Sequence, residues 1–560
     1  MKSNKRAFLN RNALLFFFYK KMILHLQLLY NEVVILVLIQ FLKNMDRCDI
    51  ELIQEKYAII DIGSNTMRLV IYNRDRNGTL KEIENIKVSA RLRNFLSEEG
   101  VLEVEGITKI IKTLQSFQGV TRHHQLEEVK CVGTAAIRQA KNKEEILERV
   151  ENETDFTMEV LTAYEEAYYG FLAVVRSTPY EQGVTIDIGG GSTEVTYFEN
   201  RNLIYYHSFP FGVLSLKKQF IKGDIPEENE RKKLSQFLHE QFESLEWLSN
   251  LQSPVIAIGG SARNLVQIHQ EYIDYPILGI HQYVMDRQDI NDIKDYLLSI
   301  PFSELQRVDG LSKDRADIII PAIEAFDTLM DTVNSNVFAL SQKGLREGLF
   351  YDKNHNKTEI SNILDESFQE LAVDYNINIT HVLQVRESAL MISRLLIREG
   401  FFSLDEQDIE RIERGSFLYN LGSYIDLECS SQHTFYLIAN RSINGMNHKE
   451  RIITALIASF KNKESFKRYI KPFNQWFKKE EIEKIRLIGS IIKFAYSLHL
   501  TKRNIIEQIE LQVKGQDLIF NITCLQDWQP EAYKVEKQKK YLEKILNCSI
   551  TVNFSSSLIK

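Results

Sequence analysis

Apolar and polar positions alternate most clearly in two short stretches of the chain. In the first, a β-branched apolar run from Tyr57 contains Asp61 and ends at Gly63, Ser64, Asn65 and Thr66, after which a second β-rich run reaches Tyr72. In the second, a similar run from Gly183 contains Asp187, meets Gly189, Gly190, Gly191, Ser192, Thr193 and Glu194, and continues to Phe198. Each pattern predicts a strand, a tight turn and a returning strand. Asp61 and Asp187 are 126 positions apart, about one lobe's length. Repetition at that separation predicts an internally duplicated α/β protein with a cleft between its lobes.

Between the hairpins, residues 162–176 read as a helix. Ala163, Glu166, Ala167 and Gly170 fall on one face, whereas Glu165 shares a face with Tyr168, Tyr169 and Leu172. From about Glu359 the pattern changes to long amphipathic helices. From about Ile505 it alternates again, then gives a Lys/Glu helix and a short β-rich tail. The boundaries therefore read as an extension at 1–44, a first lobe at 45–177, a second at 178–355, a helical domain at 356–504 and a small α+β module at 505–560. At roughly 150 residues per domain, 560 residues leave room for these.

Residues 1–44 predict an extension outside the folded core. Met22 to Leu42 is 21 residues long, enough to span a bilayer, but Asn31 and Glu32 interrupt its middle, where charge is expensive. No cleavage site of the small-residue type follows. Neither a membrane anchor nor a secretory signal is expected, and Met45 is a sensible alternative start.

Composition narrows the class. With 44% hydrophobic and 26% charged residues, the chain is not largely disordered. Lys plus Arg at 69 against Asp plus Glu at 76 gives a net charge of −7, which argues against a broadly basic nucleic-acid-binding surface. Cys48, Cys131, Cys429, Cys524 and Cys548 are scattered without a CxxC pair, so neither a zinc ribbon nor a disulfide scaffold is expected, and a reducing cytoplasm suits them.

The two turns carry the candidate chemistry. Gly63 and Gly189 to Gly191 permit positive φ and close backbone approach, so successive N–H groups can face one anion. Ser64, Thr66, Ser192 and Thr193 add hydroxyls. Asp61 and Asp187, at strand ends, can hold a divalent cation or its water shell. Two such turns together predict a phosphate clasp.

IDIGSNTMRL and IDIGGGSTE resemble the two phosphate-binding loops of the exopolyphosphatase/guanosine pentaphosphate phosphatase (Ppx/GppA) family. VGTAAIRQAKN at 132–142, LTAYEEAYYG at 161–170, AIGGSARNL at 257–265 and GLREGLFYD at 344–352 follow in the family's order. The resemblance runs from about Tyr57 into the C-terminal helical region. It implies a duplicated actin-like (ribonuclease H-like) two-lobe α/β fold, followed by an all-α HD-like domain and the small α+β module. It also implies that Glu166 orients and deprotonates a water for attack on a terminal phosphoryl group, in agreement with the helix-face argument. Arg138 would give the phosphate a planar, multi-donor contact, Asp187 would position Mg²⁺ or water, and Glu194 would be a second acidic contributor. Asn65 with the amides around Ser64 and Thr66 would hold one side of the phosphate. Gly190, Gly191, Ser192 and Thr193 would hold the other. Arg263 either reaches phosphate or braces a turn.

In the helical region, His381, the pair Tyr419-Asn420 and His433 follow an HD-type outline. Tyr and a neutral amide replace its metal-binding His-Asp pair, so a structural or substrate-channel domain is expected, with packing histidines. The basic run Lys461, Lys463, Lys467, Arg468 and Lys471 reads as a solvated helix face or as a track for a long polyanion.

The resulting expectation is Mg²⁺-dependent hydrolysis of the terminal phosphoanhydride of inorganic polyphosphate. Removal of the 5′-phosphate of guanosine pentaphosphate is the alternative within the family. A small-molecule kinase of the same superfamily and a non-catalytic polyphosphate or alarmone sensor are the readings from other classes. A cytoplasmic homodimer is expected, without nucleic-acid or membrane partners.

Overall fold

A computed structural model describes residues 55–74, 80–126, 128–354, 362–515 and 517–557. The expected extension at 1–44 and Cys48 lie outside them. β1 (Glu55–Ile62), β2 (Thr66–Arg74) and β3 (Leu80–Ser89) form an antiparallel meander. β1 also pairs in parallel with β4 (Glu128–Gly133), which pairs with β5 (Met158–Val160), giving the order β3-β2-β1-β4-β5. The second sheet is built from β6 (Gly183–Ile188), β7 (Thr193–Glu199), β8 (Asn202–Phe209), β9 (Val255–Ile258), β10 (Val284–Met285) and β11 (Phe338–Leu340). Its order, β10-β11-β9-β6-β7-β8, repeats the first and adds β10 at one edge.

Both central strands are apolar on both faces because both faces are covered by helices. Ala58, Ile60 and Ile62 of β1 pack under the helix Val104–His124, through Ile107, Ile110 and Leu114. Tyr57 and Ile59 face the other way, toward Tyr169, Leu349 and Phe350. On the second sheet, the helices Gly259–Tyr272 and Ile319–Val333 cover one face. The opposite face meets Phe171, Leu172, Val174 and Val175. The helix Ala163–Val175 thus lies between the sheets, giving Tyr169 to one and the Phe171–Val175 turn to the other. Thr162 caps it: its hydroxyl accepts from Glu165 N at 3.2 Å, and Glu165 Oε2 accepts from Thr162 N at 2.8 Å. Glu165 is committed to that cap, and Glu166, one residue on, emerges between the lobes.

The third sheet, β12 (Ile506–Lys514), β13 (Asp517–Cys524) and β14 (Ser549–Ser556), packs on the helix Lys479–Leu498. Its alternating Leu518, Phe520 and Ile522 are fully buried within the same core as the helices from Ile363 onward. Phe494 and Phe520 meet at 5.4 Å. Each such ring contributes about 1.5–3 kcal/mol on burial, so this sheet belongs to the helical unit's core rather than to a core of its own. Tyr419 donates to Phe460 O, and Asn420 Nδ2 to the Tyr496 hydroxyl, on which His381 packs edge-on. The basic run is exposed at Lys461, Lys463, Lys467, Arg468 and Lys471, while Phe466, Tyr469 and Ile470 turn inward. Among the described residues no helix is long and apolar enough to cross a membrane.

Candidate active site

The two hairpins end against each other. In each turn the glycine N–H donates to a carbonyl three residues on, Gly63 to Thr66 at 3.0 Å and Gly189 to Ser192 at 2.9 Å. None of Gly63, Gly189, Gly190 and Gly191 adopts positive φ, contrary to the expectation from their residue type. Their requirement is closeness. A Cβ on Gly190 would lie 3.1 Å from Ser64 Cβ, and one on Gly191 would lie 3.1 Å from Ser64 Oγ. The glycine that does use positive φ is Gly259, at +88°, where a Cβ would stand 2.5 Å from Asp187 Oδ1.

A cavity of about 280 Å³ opens where the turns meet. Asp61, Gly63, Ser64, Asn65, Thr66, Glu166, Asp187, Gly189, Gly190, Ser192, Glu194 and Arg263 all line it, so both hairpins and the intervening helix contribute to one site. Asn65 is buried, and neither its Oδ1 nor its Nδ2 has a partner among the described residues. A buried amide left open toward a cavity is the kind of group a ligand satisfies. Arg263 lines the cavity, and its Nη2 donates to Gln342 O at 2.9 Å.

Three expected residues stand elsewhere. Gly191 is behind the lining, against Ser64 and Arg93. Thr193 is fully buried and its hydroxyl donates to Phe211 O at 2.8 Å, so it braces the hairpin instead of facing the cavity. Arg138 is not a lining residue. Its Nη1 donates to Glu166 Oε2 at 2.8 Å and to Leu161 O at 2.9 Å, and its Nη2 is 4.0 Å from Glu194 Oε1. It serves the carboxylates.

Sequence reasoning passed over Arg68, Lys87, Arg315 and Arg346, which line the same cavity. Arg68 and Arg346 lie inside the quoted motifs, and β-pairing sets Arg68 directly across from Asp61, a signal that was available. Lys87 and Arg315 have no local signal. Lys87 comes to the site in an ion pair with Asp314 of the other lobe, at 3.1 Å. Burial, then Arg346 and Arg263, pull the proton affinity of Arg68 down to about 10. Arg263 is pulled down likewise, by burial and then Arg346. Guanidinium groups that repel one another, with Arg346 Nη1 and Arg263 Nε lacking partners among the described residues, await an anion.

The carboxylates show the opposite imbalance. Burial raises Glu166 to about 7, against the pull of Arg138, with Asp187 and Asp61 adding to the rise. Asp187 is raised to about 6, by burial opposed by Arg263 and reinforced by Asp61. Burial raises Asp61 against Arg346 and Arg68, and raises Glu194 well above the usual range, with Glu166 and Asp187 contributing. A carboxylate near 7 suits a general base.

Among the described residues no group of three or more His, Cys, Asp or Glu side chains is arranged to hold a metal alone. Asp61, Asp187 and Glu194 are therefore not a ready-made cage, and Glu194 Oε1 accepts from Ser208 Oγ at 2.9 Å. Asp61 and Asp187 do fit a cation. Both line the cavity, and neither carboxylate has a hydrogen bond or salt bridge among the described residues. Mg²⁺ typically takes one or two carboxylates and completes its shell with water and substrate phosphate.

The model of the Ppx/GppA phosphatase family matches residues 70–357, and that of Ppx/GppA phosphatase domain III matches residues 363–543. A Haemophilus influenzae protein named "Putative exopolyphosphatase" is 26% identical over 309 residues, covering 53% of this chain and 91% of that protein. The crystal structure of an Aquifex aeolicus Ppx/GppA family member is similar at 30% identity and TM-score 0.48, covering 54% of this chain and 99% of its own. That of an exopolyphosphatase from Cytophaga hutchinsonii shares the fold at 23% identity and TM-score 0.50, covering 53% of this chain and 97% of its own.

Proposed function

The chain belongs to the Ppx/GppA phosphatase family, and we propose that it is a Mg²⁺-dependent exopolyphosphatase that releases orthophosphate stepwise from the end of inorganic polyphosphate. The observation that carries this reading is one cavity bordered by both glycine turns, by Glu166, and by Arg68, Arg263, Arg315 and Arg346. A site with that many cations in so little space suits a substrate with charge on every unit. The exopolyphosphatase names of two similar proteins add support.

In this reading the terminal phosphoryl group enters between the turns. Asn65, the turn amides and the arginines hold its oxygens, and Asp61 and Asp187 would hold the cation. A divalent cation held there would neutralise phosphate charge. Glu166 takes a proton from water as the water oxygen bonds to phosphorus and the bridging P–O bond breaks. The electron pair of that bond leaves with the shortened chain. Arg138 keeps the charged form of Glu166 available. Phosphoryl transfer of this kind depends mainly on positioning and charge stabilisation.

The test is orthophosphate release with Mg²⁺ from long polyphosphate and from guanosine pentaphosphate, measured side by side. Faster release from polyphosphate is expected. The reverse preference reassigns the substrate to the nucleotide, and no release from either ends the reading.

A further inference from the structure

At the junction between the second lobe and the helical unit, the segment Tyr275–Tyr283 is wedged against the helices. The Tyr275 and Trp476 rings meet at a tilt with centroids 5.3 Å apart, and Ile277 enters the helical core. Within this wedge His281 is 1% exposed and every polar atom of its ring is used. Nδ1 accepts from Gln342 N at 3.1 Å, which leaves the proton on Nε2, where it donates to Ser177 O at 3.0 Å. The backbone of Gln342 is held at both ends, because its carbonyl accepts from Arg263 Nη2 at 2.9 Å. One residue therefore lies between an imidazole in the domain junction and a guanidinium in the cavity wall.

The helical unit fixes that imidazole in turn. His448 Nε2 donates to His281 O at 3.0 Å, and His448 Nδ1 accepts from the Tyr275 hydroxyl at 3.0 Å. Ser177 O also accepts from Gln282 Nε2 at 2.9 Å and from Gly445 N of the helical unit at 3.2 Å. Ser177 lies two residues past the C-terminal end of the helix that carries Glu166. The same junction thus grips the loop behind Arg263 and the far end of the Glu166 helix.

We infer that His281 is a positioning residue for Arg263, acting through the backbone of Gln342, and that the helical unit holds His281 in register through His448. This rests on the reading of the cleft as a phosphate site. Arg451, 1% exposed and with Nε and Nη2 unpartnered among the described residues, lies beside the pair. Burial and nearby positive charge, Lys343 and Arg451 for His281 and Arg451 for His448, lower both imidazoles to about 3. Both rings stay neutral around neutral pH. Each keeps the one donor and one acceptor that a two-sided bridge needs.

The experiment is a double-mutant cycle on the full chain with tripolyphosphate, accompanied by thermal melts. His281→Leu removes both ring bonds. His281→Asn keeps an acceptor for Gln342 N but loses reach to Ser177. Expected for His281→Leu is a KM raised about tenfold with kcat within about twofold, the size of one lost charge-assisted contact. In an Arg263→Ala background the same change adds nothing, and with Arg263 in place His281→Asn keeps a KM close to that of the unmutated chain. A structural role alone would instead multiply with Arg263→Ala. Multiplying effects, an unchanged KM for His281→Leu, or equal KM values for the Asn and Leu variants overturn the inference. If the unmutated chain binds inorganic phosphate calorimetrically but hydrolyses nothing, the exopolyphosphatase reading fails and the same cycle is read in phosphate affinity. No phosphate binding at all overturns both.

Discussion

In the first lobe Arg68 stands across the ladder from Asp61, and in the second Glu194 stands across from Asp187. Almost everything else about the two hairpins is shared. The strand order, the antiparallel pairing and the turn hydrogen bond repeat, and the 126-residue offset relates Asp61 to Asp187 and Arg68 to Glu194 alike. Charge at the equivalent position is reversed, so the duplicated frame presents a cation from one side of the cavity and an acid from the other. Turn sequence differs in a complementary way. Ser64 and Asn65 of the first turn need space, and Gly190 and Gly191 of the second provide it. Duplication supplied the frame; divergence set a cation across from one aspartate and an acid across from the other.

The largest effect should come from the acid placed between the halves. Glu166→Gln keeps the shape and the contact to Arg138 but removes the base, and kcat should fall about 10²–10⁴-fold while polyphosphate still binds. Near-normal turnover in that variant would remove Glu166 from the mechanism. Next is the cation of the first lobe. Arg68→Ala should raise the KM for tripolyphosphate about 10- to 100-fold, with a smaller change in kcat, since a charged hydrogen bond is worth about 1.5–3 kcal/mol. Equal effects on KM from Arg68→Ala and Glu194→Gln would erase the functional difference between the lobes. Smaller again is the fit of the turns. Gly190→Ala should destabilise the fold by about 1–3 kcal/mol, as an overpacked contact does, and lower the melting temperature. Ser64→Gly in the same chain should recover most of that loss, because it removes one of the atoms a Cβ at 190 would meet.

What was readable in the sequence was local. The hairpins announce themselves by strand composition, and helical periodicity favoured Glu166 over Glu165 as the cleft carboxylate, in agreement with the family resemblance. The roles of the glycines were less readable, because residue type does not distinguish a need for positive φ from a need for closeness. Gly259 required the first and Gly190 the second. Lys87 was invisible because its partner Asp314 belongs to the other lobe, and Arg315 because its contact with Ser261 joins positions 54 residues apart in the sequence. Thr193 looked equivalent to Ser192, yet the alternation of β7 turns its side chain into the core. The terminal sheet shows the same limit. Its period-two pattern marks a buried face at Leu518, Phe520 and Ile522, but nothing in that pattern says that the partner is the Lys479–Leu498 helix.

The smallest expected effect separates two roles for Arg138. If its contact is with Glu166, as the 2.8 Å bond indicates, its charge favours the ionised carboxylate. Catalysis needs that ionised form, so kcat/KM should rise with pH through a limb near the value of about 7 set chiefly by burial of Glu166. Arg138→Gln withdraws the opposing cation, which leaves burial and the neighbouring carboxylates less opposed, and the limb must move to higher pH. Activity at pH 6 should therefore suffer more than activity at pH 9, and KM should change little. An arginine whose main contact was the substrate phosphate would behave the other way: KM would climb at every pH while the limb stayed in place. A pH–rate profile of this one variant assigns Arg138 either to the Glu166 carboxylate or to the substrate phosphate.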